Sequence, residues 1–246
     1  MLPVLAAQGM RVRRSILRLP PAAPPHHGAI RDREGSLSTA EEQRAFHLFI
    51  TGESSAAGVG VESHADALSG RLAHRLGQEL GTNVCWQALG RNGIKASELR
   101  EEILPESLLP ALKNGPSDLI VISLGVNDVK GLTSRKSWRR DINGIIDDIR
   151  YHSRASILLT GLPPVNKFAA LPDPLKSVLG ARARLLDADL AWIAHQRKTV
   201  FHIPMSMELA DGSLARDGFH PSEKGYDLWA QNLSLGYLQY AADTAG

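Results

Sequence analysis

Four short stretches of this chain carry residue types that acyl-transfer chemistry uses. In the first, Thr51-Gly52-Glu53-Ser54-Ser55, a glycine before the serine lets the backbone turn sharply. Ser54 is then presented as a nucleophile at the carboxyl end of a strand, near the N-terminus of the next helix, where free N–H groups stabilise negative charge. A serine-rich turn that caps a helix accounts for the same residues. The run on to Gly60 is glycine-rich enough to suggest a phosphate loop, but the Gly-Lys-Ser/Thr ending of such loops is absent.

The second stretch is Asp217-Gly218-Phe219-His220-Pro221. A hydroxyl attacks poorly until a base takes its proton, and a neutral imidazole is the usual group for that task. A carboxylate can hold the imidazole in the useful tautomer and stabilise it once protonated. Three residues of separation let a turn bring Asp217 and His220 to one mouth, although either side chain alone is as readily a loop-stabilising hydrogen bonder. The third stretch, Leu124-Gly125-Val126-Asn127-Asp128, offers the Asn127 amide to a developing oxyanion; an Asn-Asp turn with Asp128 as a cap reads equally from it. The fourth, Arg91-Asn92-Gly93, offers the Gly93 N–H as a second donor, and it also fits a plain Asn-Gly turn.

Three stretches directly follow an apolar run of strand length, Phe46 to Ile50, Val84 to Leu89 and Leu119 to Ser123; the Asp217 stretch comes after the run Thr199 to Ile203, and Ile157 to Thr160 is a further run. Helical spacing occupies the intervals, over Ala65 to Leu80, Ala96 to Ile103, Trp138 to His152 and Pro174 to His195, and a last helix covers Ser222 to Tyr240. Strand-helix alternation implies parallel strands joined by right-handed crossovers, hence a three-layer αβα sandwich in which ligands sit at the carboxyl ends of the strands. Ahead of this, Leu19 to Pro25 is too rich in proline for a helix interior or a central strand and reads as a stiff connector. Gly28 to Glu42 is mainly polar and small, so residues 1–44 are assigned to an N-terminal extension and 45–246 to the domain.

Composition narrows the partners. A formal net charge of +2 gives no phosphate-tracking surface, so nucleic acid is not expected. A single cysteine, Cys85, rules out an internal disulfide framework and a multi-cysteine metal site, and its place in a strand suggests a small buried hydrophobe. Of the nine histidines only His26-His27 are adjacent, and no cluster has metal-ligand spacing; no metal and no organic cofactor are expected. No apolar run reaches the roughly 18 residues of a membrane span. Met1 to Ala7 is apolar but is followed by Arg11, Arg13 and Arg14, the reverse of a secretory signal's order, which favours the cytoplasm. That segment either packs on the domain or makes a weak contact with a membrane surface.

Taken together and in this order, the four stretches resemble the sequence blocks of the SGNH (GDSL-like) hydrolase superfamily. Its blocks read Gly-Asp-Ser, a glycine, Gly-x-Asn-Asp and Asp-x-x-His. The resemblance implies a flavodoxin-like five-stranded parallel sheet and a serine esterase or lipase-like hydrolase of carboxylic esters. It makes Ser54 the nucleophile, His220 the base and Asp217 its partner, with an oxyanion hole from the Ser54 N–H, Gly93 and Asn127. The substrate is then a small-molecule or lipid-like ester, with Val129, Leu132, Trp138 and Phe168 as candidate pocket wall. One departure stands out: Gly52-Glu53-Ser54 replaces Gly-Asp-Ser, and the extra methylene is expected to move Ser54 and alter its rate. An acyltransferase using the same residues, or a non-catalytic ligand-binding member of the fold, remains open.

Overall fold

The computed structural model describes residues 2–15, 17–31, 39–168, 170–205 and 211–245. The five apolar runs form strands β2 (Phe46–Gly52), β3 (Val84–Gly90), β4 (Leu119–Ser123), β5 (Ser156–Thr160) and β6 (Val200–Ile203), all parallel. A further strand, β1 (His27–Ile30), runs antiparallel along β3, giving a six-stranded sheet in the order β1-β3-β2-β4-β5-β6. The sheet is thus one strand wider than the sequence suggests, and the added strand comes from the segment assigned to the extension. Of the polar run assigned to that extension, residues 32–38 lie outside the described ones.

Both faces of the sheet are covered, as the apolar character of the strands requires. In β4, Leu119 and Val121 face one cluster while Ile120 and Ile122 face the other, following the period of two. The first cluster is closed by α3 (Leu68–Leu80) and α9 (Glu223–Ala245), through Leu68, Leu72, Leu76, Tyr226, Trp229 and Leu233. The second lies under α4 (Ala96–Glu98), α5 (Leu109–Asn114), α6 (Val126–Lys130), α7 (Arg135–His152) and α8 (Leu175–His195). These are the three layers.

The helix expected over Ala96 to Ile103 is interrupted. Between α4 and α5 the residues Leu99–Leu108 take wide π-helical turns around Pro105, and the Leu109 N–H reaches back five residues to Leu104 O. Proline has no N–H for an ordinary helical bond, so the wider turn accommodates it.

The proline-rich connector is laid on the domain rather than held away from it. The Ala22 N–H donates to Ala57 O (3.0 Å), the Ala23 N–H to Glu62 O (2.9 Å), and Leu19 and Ala22 are buried beside Ala57 and Val59. Before it lies α1 (Leu2–Ser15), whose Leu5 and Val12 pack against the core while Val4 and Met10 face solvent. A short helix, α2 (Thr39–Arg44), precedes β2. Among the described residues no helix is long and apolar enough to cross a membrane.

The chain steps from β2 to β3 on one side and then to β4 on the other side of β2. Connections from β2 and β4 therefore leave toward opposite faces, and a crevice opens at their carboxyl ends. Ser54 follows β2 and Asn127 follows β4, at this switch point.

Candidate active site

Gly52 ends β2 at φ +146°, and a Cβ there would stand 1.9 Å from the Ser123 carbonyl oxygen on β4, so only glycine lets the two strand ends come this close. The Glu53 N–H donates to that same oxygen at 2.9 Å. Ser54 then sits half-buried on a turn closed by Ala57 N–H to Glu53 O (3.1 Å) and Val59 N–H to Ser54 O (3.0 Å). The next helix, read from the sequence as Ala65 to Leu80, begins at Leu68. Between Ser54 and that helix the chain runs mainly through successive turns.

Asp217 and His220 lie on one tight turn, closed by Gly218 N–H to Ala215 O and Ala215 N–H to His220 O, both at 2.8 Å. The Asp217 carboxylate serves both tasks that the sequence allows it. One oxygen accepts from the backbone N–H groups of Phe219 and His220, each at 3.0 Å. The other is 2.6 Å from His220 Nδ1. An ionised carboxylate can only accept, so Nδ1 carries a hydrogen, and in the neutral form of the ring the lone pair is on Nε2. Burial pushes the Asp217 carboxyl up, but the imidazole and the two backbone donors outweigh this and hold it below its ordinary value. It is therefore a fixed negative charge behind the ring.

Ser54 and His220 line the same cavity, of about 60 Å³. Its walls are largely apolar and include Leu124, Phe168, Met205, Phe219 and Trp229. Of the four residues read as pocket wall, Phe168 is here and Val129 lines a neighbouring cavity. Leu132 is exposed to solvent, and Trp138 is core, its indole N–H donating to Leu186 O at 3.1 Å. Met205 and Trp229 gave no signal in the sequence, because each reaches the cavity from a segment far from the four stretches.

The third stretch is held by Glu53. Gly125 turns the chain at φ +127°, where a Cβ would press on Leu162 at 2.9 Å. Glu53 Oε1 then accepts from the Val126 N–H (2.9 Å), and Oε2 accepts from the Asn127 N–H (3.0 Å) and closely from Asn127 Nδ2. The carboxylate thus caps the first turn of α6 from another strand end. Asp128 Oδ2 accepts from the Ala96 N–H at 3.1 Å and so ties α6 to the loop that carries Gly93. Gly93 is exposed at φ +89°. Neither Gly93 nor Asn127 is part of the cavity lining that Ser54 and His220 share.

Cys85 on β3 is half-buried rather than fully buried. His64 is buried and bonded to Ser69 Oγ at 3.3 Å, and burial pushes its imidazole down to about 4. His202 Nε2 meets Asp187 Oδ1 at 2.9 Å. These are core and surface hydrogen-bonders, away from the cavity.

A model of the GDSL-like lipase/acylhydrolase family matches residues 50–228, a span that contains all four stretches. The chain belongs to the GDSL-like lipase/acylhydrolase family. It is accordingly a hydrolase with the SGNH fold. No curated protein matches it. Among solved structures it is similar to the lipase Lip_vut3 from a goat rumen metagenome, with 18% identity and a TM-score of 0.62 over 77% of this chain and 96% of that one. It is also similar to a Clostridium thermocellum family 3 carbohydrate esterase, with 15% identity and a TM-score of 0.61 over 82% of this chain and all of the other. The lipase/acylhydrolase from Enterococcus faecalis shows 20% identity and a TM-score of 0.53 over 78% of this chain and 94% of that one. At these identities the likeness to solved structures speaks for the fold alone. The family match ends short of α1, the proline-rich segment and β1.

Proposed function

We propose that this GDSL-like hydrolase cleaves carboxylic esters through an acyl-enzyme on Ser54. The observation that carries the reading is the Asp217–His220 pair at 2.6 Å, with His220 on the wall of the apolar cavity that Ser54 also lines. Nε2 of His220 takes the hydroxyl proton as Ser54 attacks the ester carbonyl, and Asp217 stabilises the imidazolium. The alcohol leaves with the proton from His220. Water then attacks the acyl-enzyme by the same route and releases the acid.

The oxyanion falls to the Ser54 N–H, Gly93 and Asn127. An amide nitrogen carries two hydrogens, so Asn127 can give one to Glu53 and still offer the other to the substrate. Gly93 lies on an exposed loop, where no side chain of its own screens its N–H.

Intact-mass analysis after treatment with a fluorophosphonate tests the nucleophile. One covalent adduct, absent in Ser54→Ala, together with turnover of p-nitrophenyl esters that both Ser54→Ala and His220→Ala lose almost entirely, is the expected result. Retention of most turnover by either variant overturns the assignment. Folded protein that is neither labelled nor active points instead to a ligand-binding member of the fold, and acid release that drops when an acceptor alcohol is added points to acyl transfer.

A further inference from the structure

A second apolar cavity, of about 120 Å³, adjoins the one that holds Ser54 and shares Val126, Phe219 and His220 with it. Its inner wall is Val129 on α6 with Leu171 and Leu179, and its outer wall is Val12 of α1. Phe219 stands between the two cavities, with its ring 4.9 Å from that of Phe168 on one side and the Lys130 ammonium 5.4 Å from its centroid.

The roof is docked specifically. Leu5, Gln8 and Val12 fall on one face of α1 by helical spacing. Gln8 Nε2 donates to Asp173 O (2.7 Å), and Gln8 Oε1 accepts from the Leu175 N–H (3.1 Å), one of the first-turn donors of α8 that has no partner within its own helix. This amide clamp sets the helix across the mouth of the cavity, while Leu5 and Val12 pack on the core beneath.

We propose that α1 is a specificity element: Val12 closes a pocket for the hydrocarbon chain of the substrate ester and limits the length of chain accepted. The proposal rests on the ester hydrolysis argued above. The lining is apolar but for His220 and the Lys130 head, so it favours a chain without polar groups. An apolar cavity of about 150 Å³ takes a benzene molecule, so this one has room for roughly four to six carbons. The chain belongs either to the acyl group or to the alcohol, since His220, which must reach the leaving oxygen, stands where the two cavities meet.

The test compares kcat/KM of the full-length protein over p-nitrophenyl acetate, butyrate, hexanoate and decanoate, and over ethyl, butyl and hexyl acetates, for wild type, Val12→Trp and Val12→Ala. Val12→Trp should lower the ratio of hexanoate to acetate turnover by roughly tenfold or more, the discrimination that one or two methylenes give in an apolar pocket. Val12→Ala should move the preferred chain upward in length. A shift confined to the acyl series places the acyl group under α1; a shift confined to the alkyl series places the alcohol there. Val4→Trp, on the exposed face of the same helix, should change neither ratio. Unchanged ratios in both Val12 variants across both series overturn the proposal while leaving the hydrolase reading intact. Calorimetric titration with hexanoate and decanoate reads the pocket without turnover. If the wild type neither labels nor turns over, chain-dependent binding altered by Val12→Trp still upholds the pocket, and its absence sinks it.

Discussion

Glu53 shows how far one side chain's work can lie from its place in the sequence. Its position before Ser54 marked it as a departure from Gly-Asp-Ser, and the expectation was a displaced serine. The structure shows where the added length goes: across to Val126 and Asn127, whose backbone N–H groups it caps. Nothing local announces that contact, because the partners are more than seventy residues away. Asp217 and His220, by contrast, were legible because their bond closes within a single turn. Burial pushes the Glu53 carboxyl from 4.5 up to about 7, against the two backbone donors and the Lys130 ammonium. Between those values the folded chain keeps a proton that the unfolded chain has released. This contribution is therefore fully present below about pH 4.5 and lost as pH rises through 7. The shift corresponds to something on the order of 3 kcal/mol. Glu53→Gln does not titrate, so the wild type should lose thermal stability relative to this variant as pH is raised from about 5 to about 8. Melting curves of both proteins across that range decide it: parallel profiles would mean that Glu53 keeps one protonation state throughout.

At the level of elements, the site depends on strand ends that only glycine can bring together and on helices that reach over from elsewhere. The parallel strands and the longer helices were readable from apolar runs and apolar period, since β4 and β5 are almost wholly buried and α7 and α8 carry a regular apolar stripe. The short α6 was read as a turn, because five residues show no period and its first turn is capped by Glu53 rather than by a neighbour. The last helix does more than cover the sheet. Tyr226 of α9, fully buried, donates its hydroxyl to Val59 O at 2.8 Å and so fastens the loop that carries Ser54 to the helix that follows His220. Burial pushes this phenol well above its ordinary range, so it stays a donor. Tyr226→Phe should cost about 1 kcal/mol, since it leaves a buried carbonyl without its partner, and lower the Tm by roughly 2–4 °C. If the tie also positions the serine, fluorophosphonate labelling of Ser54 should slow in the same variant. A lowered Tm with an unchanged labelling rate would confine Tyr226 to stability.

For the whole molecule, the question is where the domain begins. The sequence places its start near Ala45, because Gly28 to Glu42 is mainly polar and small and a proline-rich segment precedes it. What makes His27–Ile30 a strand is β3: the pairs from His27 with Gln87 to Ile30 with Val84 cover its outer edge, and the Ala88 N–H donates to His26 O at 2.7 Å. Gly28 lies against the Trp86 indole so closely that a Cβ would stand 2.6 Å from the ring. Removing residues 1–44 would bare that indole, uncover Val59 and Ala57, and leave the inner edge strand with unpaired N–H and C=O groups, an invitation to aggregation. With each backbone hydrogen bond worth about 1 kcal/mol, the loss should amount to several kcal/mol and a fall in Tm of roughly 10 °C or more. Removing only residues 1–17 takes away α1 but keeps the connector and β1, and should cost far less stability while opening the pocket roof. Thermal melts of the two truncated chains beside the full one separate these contributions. A chain starting at Ala45 that melts as high and as cooperatively as the full protein would show that the paired edge strand adds nothing to the fold, and that the boundary read from the sequence is also the energetic one.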